Sequence, residues 1–331
     1  MRTFFRAHWK VIVAILLLVG LAALTVNSSS AMPDAPLAAR LRTHVVAVAS
    51  TGHNTAAPKA LEEAAVYIEN VLGSEGYRIR RQAYRAGGQA VRNIEVSVAN
   101  VAPGARPARI FIIGAHHDSA PGAPGANDNA SGTAAVLELA RLLKDMRPSQ
   151  GTEVKFVFFV NEEPPWLGDR MRGDEMGGLQ RARQPHADGH KVEGALVLET
   201  IGYYTRARHS QQPPAGLEGR YPDTGNFIAF VGTLESSRLV QDALSAFQAA
   251  SSFPARGLAA PAYVRGVTLS DHSAYKRFGY PAIMITDTAF MRYPYYHTAE
   301  DTPDKLDYES VARVVTGLAR TITALAAGAK A

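Results

Sequence analysis

Arg109-Ile-Phe-Ile-Ile-Gly-Ala115, continued by His116-His-Asp-Ser119, is the stretch that decides the fold. Its apolar run is nearly continuous and of strand length, as expected in the middle of a sheet covered on both faces. It then stops abruptly at titratable residues. The pattern recurs: the apolar segment 154–160 ends in Asn161-Glu162-Glu163, segment 195–198 runs into Glu199, and segment 282–286 precedes a polar loop holding His297. Helical spacing falls between and after these runs, through Val136, Leu137, Ala140 and Leu143, and through Val311, Val314, Val315, Leu318, Ile322 and Leu325. Upstream, Leu61, Ala65, Ile68 and Leu72 share one helix face, and 77–84 and 91–98 alternate as strands. Strands alternating with helices predict one α/β domain, a three-layer sandwich with a mixed, mostly parallel sheet and helices on both faces. Residues 32–55 read as a linker leading into a short helix, which places the domain at 56–331. The Pro-, Gly- and charge-rich stretch 202–225 is a long connection of the kind that shapes a site.

Residues 1–31 stand apart. Arg2, Arg6 and Lys10 precede an uninterrupted apolar run over 11–26 and then polar residues 27–30, the pattern of an export signal. The run is shorter than the roughly 20 residues that cross a bilayer, so a cleaved signal peptide and a short N-terminal membrane anchor both fit. Either puts the domain outside the cytoplasm, periplasmic, secreted or anchored, and engages the membrane only through this segment. The formal net charge of +5 owes three units to those cations. The remainder is close to neutral and has no dense basic run, which argues against nucleic acid as a partner. With no cysteine in 331 residues, disulfides and thiolate chemistry are excluded, so any metal must be held by His and carboxylates. A composition of 47% hydrophobic and 20% charged residues supports a substantial buried core.

In open α/β sheets ligands bind at the carboxyl ends of the strands, where the titratable residues of this chain collect. His116 and Asp118 are two apart, on the same face of an extended backbone, so Asp118 is expected to take the free imidazole N–H and fix its tautomer. His117 points the other way and reads as structural. Asp128 lies in the bend-prone loop Pro124-Gly-Ala-Asn-Asp-Asn-Ala-Ser-Gly132; it either caps the following helix or shares its two oxygens between two cations. Glu162 and Glu163 end an apolar strand, where an unpaired charge is costly, and call for a cation or a proton. His297 follows Tyr295 and Tyr296 in a polar loop in which Asp301 is placed to support it.

Together these blocks resemble the di-zinc aminopeptidase family of metallopeptidase clan MH, which also holds glutamate carboxypeptidases, glutaminyl cyclases and metal-free receptor relatives. The resemblance covers roughly 56–327 and is carried by Gly114-Ala-His-His-Asp-Ser119, Gly125-Ala-Asn-Asp-Asn-Ala-Ser-Gly132, Asn161-Glu-Glu163, Leu198-Glu-Thr-Ile-Gly202 and Tyr296-His-Thr-Ala-Glu-Asp-Thr302. It implies a zinc-exopeptidase-like fold and two Zn²⁺ ions, one held by His116 and Glu199 and the other by Glu163 and His297, with Asp128 bridging. It further implies that Glu162 is the general base of peptide hydrolysis, with Tyr295 or Tyr296 assisting at the oxyanion. Asp271 and His272, in Leu269-Ser-Asp-His-Ser273, resemble a family segment near the substrate pocket. Glu199 stands where these aminopeptidases usually carry Asp, which bears on substrate preference. The resemblance therefore implies an exopeptidase acting on peptides, most naturally an aminopeptidase, with a glutaminyl cyclase or a non-catalytic binding domain as the alternatives.

Overall fold

Strand β3 (Arg109–His116) lies in the middle of the sheet, and its side chains alternate between two cores. Phe111, Ile113 and Ala115 enter one cluster, Ile110 and Ile112 the other. Such a strand has no solvent face, which is why its sequence does not alternate. The computed structural model describes residues 35–165, 173–213, 217–219 and 221–328.

Eight strands form one sheet in the order β1-β2-β4-β3-β5-β8-β6-β7. The other strands are β1 (Arg80–Ala86), β2 (Gln89–Asn100), β4 (Thr152–Phe159), β5 (Val192–Glu199), β6 (Ile228–Thr233), β7 (Ala255–Ala260) and β8 (Ala282–Thr286). The central run β4-β3-β5-β8 is parallel. β1, β2 and β4 pair antiparallel on one side, and β6 is antiparallel to β8 on the other. Helices α1 (Ala35–Val48), α2 (Pro58–Ser74), α3 (Gly132–Leu142), α5 (Ser237–Ala250) and α7 (Tyr308–Ala327) supply residues to the larger core on one face. Helix α4 (Gly177–Ala187) and the short α6 (His272–Lys276) cover the other. The expected three-layer sandwich with a mixed, largely parallel sheet is the observed one.

Stretch 32–55 departs from its reading as a linker with a short helix. Helix α1 is fourteen residues long, and Leu37, Leu41, Val45 and Val48 are buried in the main core. Their spacing makes one helix face, and burying each contributes about 1.5–3 kcal/mol. His44 and Arg40 of the same helix reach the buried Glu138 at 3.0 and 2.9 Å, so α1 belongs to the domain. Among the described residues no helix is long and apolar enough to cross a membrane. The export signal or anchor expected at 1–31 lies outside the described residues.

Candidate metal centre

At the carboxyl ends of β3, β4 and β5 and in the loops after β3 and β8, six side chains converge. His116 ends β3. Its Nδ1 lies 3.0 Å from the Asp118 carbonyl oxygen, which makes Nδ1 the donor and leaves the Nε2 lone pair facing inward. Nε2 stands 3.3 Å from Asp128 Oδ1, 3.2 Å from Glu199 Oε2 and 3.8 Å from Glu162 Oε2. His297 Nε2 approaches the same aspartate from the other side, 2.9 Å from Asp128 Oδ2 and 3.2 Å from Glu163 Oε2. Each oxygen of Asp128 therefore faces a different histidine.

Helix capping is not what Asp128 does: α3 begins without a side-chain cap from it, and Asn129 Oδ1 accepts the Gly132 N–H at 3.1 Å instead. The same Oδ1 accepts from Thr200 N, while Asn129 Nδ2 donates to Leu198 O, binding the loop to the end of β5. Gly125 opens the loop at φ 75°, and a Cβ there would lie 2.6 Å from the Asp128 carbonyl oxygen. Only glycine fits.

Two supporting aspartates act differently from expectation. Asp118 Oδ1 is 3.6 Å from His116 Nδ1, beyond hydrogen-bond reach. Its carboxylate instead accepts the backbone N–H groups of Glu162 and Glu163, each at 3.2 Å. Asp301 is turned to other donors: it accepts from Asn127 N at 2.8 Å, Asp128 N at 3.1 Å and Tyr293 Oη at 2.8 Å. Both aspartates thus hold backbone that carries the carboxylates. A tight turn needs that backbone held, and His116, already oriented by a carbonyl, does not need a second acceptor.

Tyr296 stacks on His297 at 3.9 Å between ring centres, whereas Tyr295 packs on Tyr293 and under Lys305. Of the two, Tyr296 borders the cluster. Asp271 is buried and accepts Gly178 N–H at 2.9 Å rather than capping α6. Burial pushes its carboxyl up to about 8, with Asp118 and Glu199 adding and His116 opposing. His272 stands away from the cluster, its Nε2 2.8 Å from Val267 O, and burial lowers its pKa to about 4. His117 is buried with its backbone N–H on Phe159 O. Ser270 went unread in the sequence: its Oγ donates to Glu199 Oε2 at 2.9 Å. Its neighbours Asp271 and His272 were the signal that the segment matters.

The donor set suits zinc, being entirely imidazole nitrogen and carboxylate oxygen. Two overlapping groups, His116-Glu162-Glu199 and His116-Asp128-Glu163, have ligand atoms within 4.8 Å of one another. Of the converging atoms His116 Nε2, His297 Nε2, Asp128 Oδ2 and Glu163 Oε1 are buried without a hydrogen-bond partner. Orphans of this kind are rare in a native interior unless something binds them. Burial pushes Glu163 up to about 8, with Asp128 adding and His297 opposing. Burial likewise carries Glu199 up to about 7, with His116 opposing and Asp128 adding. The four crowded carboxylates lack the positive charge that would let all of them ionise.

Beside Glu199 and Tyr296 opens a mainly apolar cavity of about 70 Å³, walled by Phe227, Val231, Leu258, Met284 and Met291 among others. The long connection after β5 forms part of its wall, through Gln211 and Pro213. Buried Arg292 fastens that wall, donating to Gln211 Oε1 and Phe227 O at 2.8 Å each and to Tyr203 O at 3.3 Å. Arg292→Met is expected to cost about 2–4 kcal/mol of stability, measured by urea unfolding, and to raise KM for peptides more than it lowers kcat.

The fold agrees with comparisons to known proteins. Residues 97–322 match the model of peptidase family M28, and the chain belongs to that family of peptidases. It is 39% identical over 267 residues to YfbL of Escherichia coli K12, an uncharacterized protein, covering 78% of each chain. Two proteins of Trichophyton verrucosum named as probable leucine aminopeptidases and leucine aminopeptidase 1 of Arthroderma otae match at 26–27% identity, and the chain spans 50–57% of their length. Among solved structures, the aminopeptidase of Aneurinibacillus sp. AM-1 superposes with a TM-score of 0.64 at 17% identity, over 88% of this chain and 94% of that one. Fimbriiglobus ruber glutaminyl cyclase superposes at 0.62 with 20% identity, over 86% and 94%. At such identities the structural likeness establishes the fold alone.

Proposed function

We propose that this M28 peptidase is a zinc-dependent aminopeptidase with two zinc ions, one held by His116 and Glu199 and one by Glu163 and His297, with Asp128 shared. The observation that carries the reading is the divided carboxylate of Asp128, one oxygen 3.3 Å from His116 Nε2 and the other 2.9 Å from His297 Nε2, with three of these four facing atoms, Asp128 Oδ2 and the two Nε2, lacking a hydrogen-bond partner. When bound, the metals supply Lewis-acid polarisation of the scissile carbonyl and acidify water. The chain supplies the proton traffic. Glu162, held through its backbone N–H by Asp118, takes the proton of the attacking water and returns it to the leaving amine. Tyr296 is pushed far above its ordinary pKa by burial and the neighbouring carboxylates, so it stays a donor; its hydroxyl is proposed to assist at the developing oxyanion. The apolar cavity next to Glu199 takes the side chain of the residue removed. The basic and apolar segment at the N-terminus supports work outside the cytoplasm, by export or anchoring.

Mass spectrometry of unblocked, N-acetylated and N-terminal-Gln peptides incubated with the zinc-loaded protein tests the reading. Stepwise loss of N-terminal residues from unblocked peptides alone is expected. Loss of ammonia from the Gln peptide without cleavage would assign the site to a glutaminyl cyclase instead.

A further inference from the structure

The apolar cavity has a charged far wall that the aminopeptidase reading does not use. Cross-strand partners in a sheet point to the same face, and the register builds one row of them from the metal centre outward. Glu199 pairs with Thr286, Thr286 with Ala229, and Ala229 with Arg256 on the edge strand β7. All four border the cavity. The next row inward is apolar: Met284 pairs with Val231, and Val231 with Leu258. The cavity floor is thus a greasy strip with a metal-site carboxylate at one end and an arginine at the other, and with the small Ala229 between them.

Three strand spacings of about 4.8 Å set Glu199 and Arg256 about 14 Å apart along the sheet. Side chains leaning in from both ends narrow the gap to about 5–10 Å, the reach of an acidic side chain or of about one to three residues of extended chain. Arg256 is exposed and uses only Nη1, which donates to Ala255 O at 2.8 Å. On the same cavity wall Arg265 lies over the Phe290 ring at 4.6 Å. Among the described residues neither arginine has a carboxylate within ion-pair distance, and neither has a partner beyond these. A planar guanidinium with free N–H groups at the end of an apolar trough is matched by a carboxylate.

We infer that Arg256, seconded by Arg265, receives a carboxylate of the substrate and makes this site selective for peptides that carry one at that distance. The inference rests on the aminopeptidase reading of the same centre. Two sources fit the chemistry: the C-terminus of a di- or tripeptide, and an acidic side chain on the residue removed. Both restrict the substrate relative to an enzyme that accepts any apolar N-terminus.

The test separates recognition from turnover. Binding is measured by calorimetry on the zinc-loaded full chain carrying Glu162→Gln, with and without Arg256→Met. One arm compares Leu-Ala-Leu with its C-terminal amide; the other compares the Glu and Gln forms of an otherwise identical amidated tripeptide. Tenfold or tighter binding of the carboxylate form in at least one arm, shrinking to within twofold on Arg256→Met, is the expected result, and the responding arm names the source. Equal binding in both arms, or a preference that survives Arg256→Met, overturns the inference. Hydrolysis of the same peptides by the chain with Glu162 intact reports separately on the peptidase reading. Arg256 is exposed on an edge strand, so its replacement leaves the core untouched.

Discussion

Glu162→Gln is expected to leave the zinc content of the protein unchanged and to cut kcat on unblocked peptides by a factor of about 10²–10⁴, the range lost with a general acid–base group. The geometry separates Glu162 from its neighbours. Its nearest approach to His116 Nε2 is 3.8 Å, against 3.2 Å for Glu199 and 3.3 Å for Asp128. It is nonetheless close enough to share one potential ligand group with His116 and Glu199, so base and ligand are competing assignments that make different predictions. A ligand replaced by an amide weakens metal binding; a base replaced by an amide keeps the metal and loses the proton acceptor. Burial raises the Glu162 carboxyl well above the ordinary range, with Glu199, Glu163 and Asp271 adding and His116 opposing. A carboxyl in that environment holds a proton readily, which is the property the second half of the reaction needs. Zinc by atomic emission and kcat by peptide assay decide the matter. Loss of zinc would make Glu162 a ligand, and wild-type turnover would remove it from the mechanism.

The sheet and the ends of its strands were legible because both leave one-dimensional signatures. A strand covered on both faces reads as an unbroken apolar run, and a carboxylate or imidazole that ends such a run has little reason to be there except a ligand. Hence His116, Glu162, Glu163 and Glu199 were named from sequence, and the structure brings them to one centre with Asp128 and His297. What failed were directions and long-range partners. Asp118 and Asp301 were assigned to the histidines nearest in sequence, yet their acceptor oxygens serve N–H groups 44 and 173 residues away. Nothing in local spacing reports such a contact. The length of helix α1 and its place in the core escaped the reading of 32–55 as a linker with a short helix for a different reason. Leu37, Leu41, Val45 and Val48 carry a helical stripe, but Arg40, Arg42 and Thr43 interleave it so closely behind the leader that the segment read as a connection. The apolar cavity was invisible because its floor combines residues from β6, β7 and β8, each supplying only one or two side chains.

Zinc binding to the metal-free protein at pH 7 is expected to release about three protons per chain, because the ligands must shed protons that the empty site retains. Burial drives Glu163 up to about 8 and Glu199 up to about 7. Burial opposes a charge on His297, but Asp128 and Glu163 outweigh it and carry the imidazole up to about 10; Glu199 and Glu162 likewise overcome burial to raise His116. At pH 7 His297 and Glu163 are largely protonated in the metal-free chain and Glu199 is near its midpoint, while His116 is shifted in the same direction. The sign for stability follows from linkage. Each of these groups has a folded-state pKa above its unfolded value of about 4.3 for Glu or 6.5 for His. The native state therefore binds more protons, and its stability falls as pH rises through about 7 to 10. Asp128, held low by the two histidines against burial, has the opposite sign, but it acts only below about pH 4. Metal-free protein should accordingly lose several degrees of Tm between pH 6 and pH 9, while the zinc-loaded protein, with those ligands already deprotonated, should lose little. Asp128→Ala removes the carboxylate on which both histidines converge and is expected to abolish both the zinc-dependent rise in Tm and peptide turnover. Proton release measured by indicator dye in weak buffer, with Tm by calorimetry at the two pH values, checks all three. A flat Tm in the metal-free protein together with zinc uptake that releases no protons would mean that these side chains do not form the metal site.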